Sequence, residues 1–327
     1  MTEAPNAPTA LQRNADEIVF EEFEFANYYR TTAPTLNAYA PSPFPSTASS
    51  PSGIPLDCLL VIDAGHSHTT ITPLFGGRPL HTAFRRLEIG GKTLTNQLKE
   101  LISTRQFELR KEDWIAGQIK EDVCFVSQAF DHDLERVWKG GSKDPRMIDQ
   151  NIVVDYVLPD YENIKRGFAR PHDPSFDARK RRLGIGGPRE EVVVLANERF
   201  TVPELLFTPS DIGMQQEGIV GTILQSLNAL PKGLWQPFLA NVVVVGGTSK
   251  LPGFVARLEA DLRSVVSDDY LVRVAQAQDP VQNVWLGGAR LAQNQEVLRE
   301  MVVSRQEYLE NGDVWTRRKF AGKVGRS

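Results

Sequence analysis

Asp63-Ala64-Gly65 stands at the end of a continuous apolar run, Leu59 to Ile62, and shortly before a β-rich run, Thr69 to Phe75. An aspartate at a strand end can hold a divalent cation through its water shell, and a glycine lets backbone N–H groups approach phosphate oxygens. The same residues also suit an ordinary hairpin with an Asx-type turn. The run from Asn241 to Val245, then Gly246-Gly247-Thr248 and a helix from about Gly253, repeats the order of strand, glycine turn and helix start. That order permits phosphate binding and equally permits a plain structural turn. His66 and His68 alternate around Ser67, but no further Cys or His cluster joins them, so a histidine metal pair is not favoured. Cys58 and Cys124 sit in apolar runs and read as small buried hydrophobes of a reducing compartment, not as a disulfide framework or a zinc site.

These residues need elements to hold them. At 327 residues and 36.5 kDa, with 41% hydrophobic and 24% charged residues, the chain has room for about two domains and the composition of a globular protein. The net charge of −4 gives no global pull toward nucleic acid or an anionic membrane. No apolar stretch approaches the length of a membrane span, and the first residues lack the apolar run of a secretory signal. Residues 1–55 read as a short apolar and aromatic block, Ile18 to Tyr29, followed by a linker: ten of the fifteen residues from Pro41 to Pro55 are Pro or Ser. The domain proper is expected over 56–327. Its pattern predicts a hairpin over 59–75, a third strand over Ala83 to Ile89, and a helix carrying Leu94, Leu98, Leu101 and Ile102. A helix over Glu112 to Phe125 is expected to face inward with Trp114, Ile115, Ile119 and Val123. The stretch from Asp131 to Gln150 is weakly patterned, and Ile152 to Leu158 reads as a strand. Asp211 is expected to cap a helix carrying Ile219, Ile223 and Leu227. Between Lys165 and Arg189 lie eight basic residues against Asp173 and Asp177, an inserted loop (165–190) with a local charge of about +6. Its Arg179, Lys180, Arg181 and Arg182 are candidates for contact with DNA phosphates or an acidic partner, or form a solvated insertion.

The succession of DAG hairpin, GGK helix, IKEDVCFV helix, VVVVGGTSKLPGF and WLGGARLA resembles the actin fold, and within it the nuclear actin-related proteins. The resemblance runs from about Ile18 to Phe320 and is carried also by VFEEFEF, VDYVLPDYENIKRGF, LANERFTVPELLFTPSDIGMQQEGI and TRRKF. It implies the α/β fold of the actin, Hsp70 and sugar kinase superfold, and a site for ATP or ADP with Mg. By this resemblance Asp63 and Gly65 belong to the second phosphate loop, with Asp63 near the metal. Lys120 and Glu121 approach base and ribose, and Gly246, Gly247 and Thr248 form the adenosine loop, 241–253.

The departures are as informative. The family's second acidic residue of the phosphate loop is replaced by His66, and Thr70 stands where the family has a histidine that helps position water. The segment TTAPTLNAY holds no glutamine where a water-orienting one is expected, and Leu251 and Val281 replace an aromatic and a lysine around the base. Hydrolysis needs a group within hydrogen-bond reach of the attacking water, and none remains evident. The segment before Ile18 is too short for the family's opening lobe, with its first phosphate loop, so an N-terminally incomplete fold is expected. The resemblance implies a non-catalytic subunit of a Swr-type chromatin remodeller in the nucleus, and also in the cytoplasm, that supports variant-histone exchange and transcription regulation. Its partners would be other subunits of the complex and, through them, histones or nucleosomal DNA. The alternative is an active ATPase or phosphotransferase of the same superfold.

Overall fold

The computed structural model describes residues 1–44, 57–138, 140–141, 144–145, 149, 151–173 and 190–321. Its centre is a mixed six-stranded sheet built on β4 (Cys58–Ala64) and β5 (Thr69–Phe75), which pair antiparallel with Asp63 opposite Thr70. β13 (Val242–Val245) lies parallel to β4 with Val245 opposite Asp63, and β14 (Val274–Gln276) extends the sheet on that side. β6 (Arg78–Pro79) and β7 (Arg85–Leu87) both pair with β5 on the other side. The unbroken apolar runs follow from cover on both faces. Leu60 and Ile62 of β4 face the main core, whereas Leu59 and Val61 join Leu74, Val243 and Val245 on the opposite face.

The main core is closed by α3 (Gly91–Arg105) through Leu94, Leu98 and Ile102, and by α4 (Asp113–Val123) through Ile115, Ile119 and Val123. Trp114 is exposed, against expectation, because the buried stripe of α4 runs through Ile115, Ala116 and Ile119 and leaves Trp114 beyond its edge. The third strand is shorter than expected, since His81–Ala83 is a 3₁₀ turn. Residues expected to be weakly patterned include α5 (Phe130–Val137), and the two-residue strands β8 (Gly140–Gly141) and β9 (Asp144–Pro145) pair beyond it.

A second sheet has the order β11-β10-β12, from β10 (Val154–Val157), β11 (Phe168–Pro171) and β12 (Val192–Leu195). β11 occupies part of the expected basic loop. Its flanking residue Arg166 pairs with Asp122 at 2.9 Å, and Arg170 within it pairs with Glu190 at 2.8 Å. After α6 (Glu198–Glu204), Asp211 lies in the 3₁₀ turn Pro209–Ile212 and caps nothing; α7 (Ile219–Asn228) instead begins after Gly218. α8 (Trp235–Leu239) precedes β13, and α9 (Phe254–Val265) follows the 3₁₀ turn Gly247–Lys250.

The ends of the chain meet. α1 (Thr9–Glu17) continues into a π-helical turn, Ile18–Glu22, and β1 (Thr2–Glu3) pairs with β3 (Thr31–Thr32). β2 (Asn27–Tyr28) pairs with β15 (Val303–Ser304), and α12 (Arg305–Phe320) packs behind them. α2 (Ala33–Leu36) and the turn Asn37–Tyr39 seat on α10 (Asn283–Gln293), which α11 (Gln295–Met301) follows. The block Ile18 to Tyr29 and the residues after it thus find their core in the C-terminal elements.

A candidate phosphate-loop cleft

Four loops and helix ends converge on Gly65. The turn between β4 and β5 is closed by the Gly65 amide donating to the His68 carbonyl at 3.1 Å. The first amides of α3 dock onto that turn: Gly91 N–H donates to Gly65 O at 3.0 Å and Lys92 N–H to His66 O at 2.7 Å. A Cβ on Gly90 would lie 2.6 to 2.8 Å from three backbone atoms of residues 65–68, so only glycine allows this approach. From the other side, Thr248 Oγ1 donates to the same Gly65 carbonyl at 2.8 Å, joining the two glycine turns across the sheet.

Gly246 completes the junction. Its φ of 90° is left-handed, and a Cβ there would lie 2.3 Å from Ala64 O and 2.7 Å from Asp63 Oδ1. β13 can therefore turn tightly past the end of β4 only with glycine at 246. Asp63 is half-buried at the strand end, and burial pushes its carboxyl above the usual aspartate range, with His68 pulling it partly back. The Nδ1 of His68 is buried with no hydrogen-bond partner among the described residues.

Lys120 is buried at the N-terminus of α3. Its ammonium donates to Gly91 O at 3.1 Å and Thr95 Oγ1 at 2.9 Å, and burial lowers its pKa against a smaller upward pull from Glu121 and Cys124. The neighbouring Glu121 is exposed and, among the described residues, makes no hydrogen bond or ion pair. Gly247 stands beside the exposed Val281, whose Cγ2 is the nearest atom to a Cβ built there, at 3.9 Å.

The structure therefore brings Asp63, Gly65, Lys120, Gly246, Gly247 and Thr248 to one junction, with Glu121 at its outer side. Gly90, Gly91, Thr95 and His68 belong to it as well. The Gly90-Gly91 pair before a helical repeat was the available signal for the first two; Thr95 joins only through the packing of α3 on α4. Arg179, Lys180, Arg181 and Arg182 lie outside the described residues.

The junction fits one phosphate edge. Among the described residues no protein acceptor takes the amide N–H groups of His66, Ser67 and His68, which leaves consecutive donors at a glycine turn. A divalent ion fits less well on protein ligands alone: the described residues contain no group of three His, Cys, Asp or Glu able to hold one. Asp63 could contribute one ligand to a hydrated Mg²⁺ that arrives with phosphates. Thr70 is buried opposite Asp63, and Asn37, in the segment TTAPTLNAY, accepts from Asn283 at 2.7 Å and donates to the Pro34 carbonyl at 3.2 Å.

A mixed sheet with two glycine turns joined at the end of its central strands, and a helix N-terminus docked on them, defines an actin-type fold. A model of the actin family matches residues 1–321, and the chain belongs to the actin family. It is 52% identical to the Actin-like protein arp6 of Emericella nidulans, over 99% of this chain and 72% of that protein. It is 46% identical to Actin-related protein 6 of Neurospora crassa, over 99% and 73% of the two chains, and 34% identical to Actin-related protein 6 of Arabidopsis thaliana, over 98% and 76%.

Proposed function

We propose that this chain is a non-catalytic actin-related subunit of a nuclear chromatin-remodelling assembly of Swr type, supporting variant-histone exchange and transcription. One observation carries the reading: a cleft that keeps its backbone cradle, Asp63 and the glycine junction, but has Thr70, buried opposite Asp63, where the family has a water-positioning histidine, and no glutamine in the segment TTAPTLNAY. Similarity to Actin-like protein arp6 and Actin-related protein 6 supports the actin-related part of this reading. ATP or ADP with Mg would act as a structural ligand, raising stability by RT ln(1 + [L]/Kd) because it binds the folded cleft alone. Partners are other subunits of the assembly and, through them, histones or nucleosomal DNA. The chain works in the nucleus and is present also in the cytoplasm.

Steady-state phosphate release tests the reading. The purified chain is expected to release phosphate no faster than buffer, with or without Asp63→Ala, and tagged chain purified from nuclei is expected to bring a separate motor ATPase with it. Turnover that Asp63→Ala abolishes would make the chain an ATPase or phosphotransferase instead.

A further inference from the structure

Phe23 and Phe25 stand together in solvent, 68% and 57% exposed, with ring centroids 6.2 Å apart. The turn that presents them is firmly held. The Phe23 amide donates to Ile18 O at 3.0 Å and the Phe25 amide to Val19 O at 3.1 Å, while Glu24 between them sits at φ 53°, a region that disfavours residues with a Cβ. Beneath the turn, Phe20 is fully buried and stacks on Tyr308 at 4.7 Å. Arg305 donates to Phe20 O at 3.0 Å and to Glu24 Oε1 at 2.9 Å, and the Tyr308 hydroxyl donates to Glu21 Oε1 at 2.7 Å. The backbone is thus fixed from behind while two large rings are left outside, an arrangement typical of interface anchors.

The charge around the rings narrows the partner. Glu21, Glu22 and Glu24 are all exposed, and no basic residue lies between Ile18 and Phe25. The neighbouring bases are engaged: Arg305 by Glu24, and Arg13 by Glu17 at 2.7 Å. Four glutamates (17, 21, 22, 24) against two arginines leave this surface negative by about two charges. A second copy meeting it face to face would bring like charges together. A segment rich in Lys or Arg fits, since its cations reach the glutamates and its aliphatic stems cover the rings, with cation–π attraction added.

We propose that Phe23 and Phe25, ringed by Glu21, Glu22 and Glu24, form the docking surface for a basic, apolar-anchored segment of another polypeptide. This surface is separate from the cleft, and its role is independent of whether the cleft binds nucleotide.

The test is fluorescence anisotropy of the full chain with a labelled peptide of alternating Arg and Leu, beside one of alternating Glu and Leu, at about 0.15 M salt. Phe23→Ser with Phe25→Ser is expected to weaken the basic peptide at least about tenfold. Glu22→Lys, a change at an exposed side chain, is expected to weaken it about threefold. Both variants should keep the wild-type melting midpoint, since the changed side chains are exposed. Sedimentation velocity is run on the same samples. Unchanged affinity in both variants, no binding of the basic peptide, or equal binding of the acidic one overturns the proposal. A wild-type dimer that the phenylalanine variant dissolves overturns it too, because a second copy would then cover the rings.

Discussion

Asp16 is fully buried near the end of α1 and meets Arg30, itself 4% exposed, at 2.5 Å. Its second oxygen, Oδ2, has no hydrogen-bond partner among the described residues. Burial outweighs the pull of Arg30 and pushes the carboxyl up to about 6, from 3.8. The folded chain therefore binds more protons than the unfolded chain between those values, and stability falls as pH rises through that window, with the loss complete above about 6. Urea unfolding at about pH 4.5 and about pH 7.5 should show wild type losing ~1–2 kcal/mol more than Asp16→Asn between the two conditions. Equal losses would mean that Asp16 is ionised throughout. The same α1 side chain holds Arg30 over the Phe320 ring at 5.2 Å, so a single buried carboxylate helps order residues from both ends of the chain.

Edges of elements expose backbone groups, and among the described residues β12 is such an edge, with β10 as its one strand neighbour. Gln106, just past the end of α3, fills the open side. Its side-chain amide accepts from Val194 N–H at 2.8 Å and donates to Val194 O at 2.7 Å, the two bonds a neighbouring strand would make. Arg105, the last residue of α3, holds Glu198 at 2.5 Å, and Glu198 in turn takes the Ala196 amide at 3.0 Å. Gln106→Ala should lower unfolding free energy by about 1 kcal/mol and produce concentration-dependent self-association by light scattering. A variant as stable and as monodisperse as wild type would assign Gln106 no role at this edge.

That arrangement also marks what sequence periodicity can reach. β4, β5, β13, α3 and α4 were legible because their apolar residues repeat within one element, and Asp63, Gly65 and Gly246 because they punctuate such runs. α5 was missed: four of its eight residues are charged, and its one face, Phe130, Leu134 and Val137, spans only two turns between weakly patterned neighbours. Trp114 and Asp211 misled because a large apolar side chain and a capping residue type were read without the neighbours that decide burial and capping. Gln106, Thr95 and the contact of α1 with α12 depend on residues far apart in sequence, which no local repeat encodes.

At the scale of the whole molecule, the first 32 residues have no sheet or helix pair able to bury Phe20 and Tyr28 by themselves. They are completed by residues almost 300 positions away. Val303 pairs with Tyr28, and Phe20, Tyr28, Val303 and Tyr308 form one buried cluster that Trp315 and Phe320 cover. Each such side chain contributes roughly 1.5–3 kcal/mol when withdrawn from water, enough together to offset the ordering of a short segment. Residues 33–39 are held differently. Leu36 and Tyr39 pack with Leu291, Asn283 donates to Asn37 at 2.7 Å, and Gly287 lets α10 approach until a Cβ there would lie 1.9 Å from Leu36 O. Removing residues 303–327 should therefore divide the N-terminal region in two. Hydrogen exchange is expected to show α1, the π-helical turn and β2 losing protection, while 33–39, β4, β5 and β13 keep it. Retained protection across 9–28 would show that α12 is not what folds that segment; loss extending through 33–39 would show that both contacts form one cooperative unit.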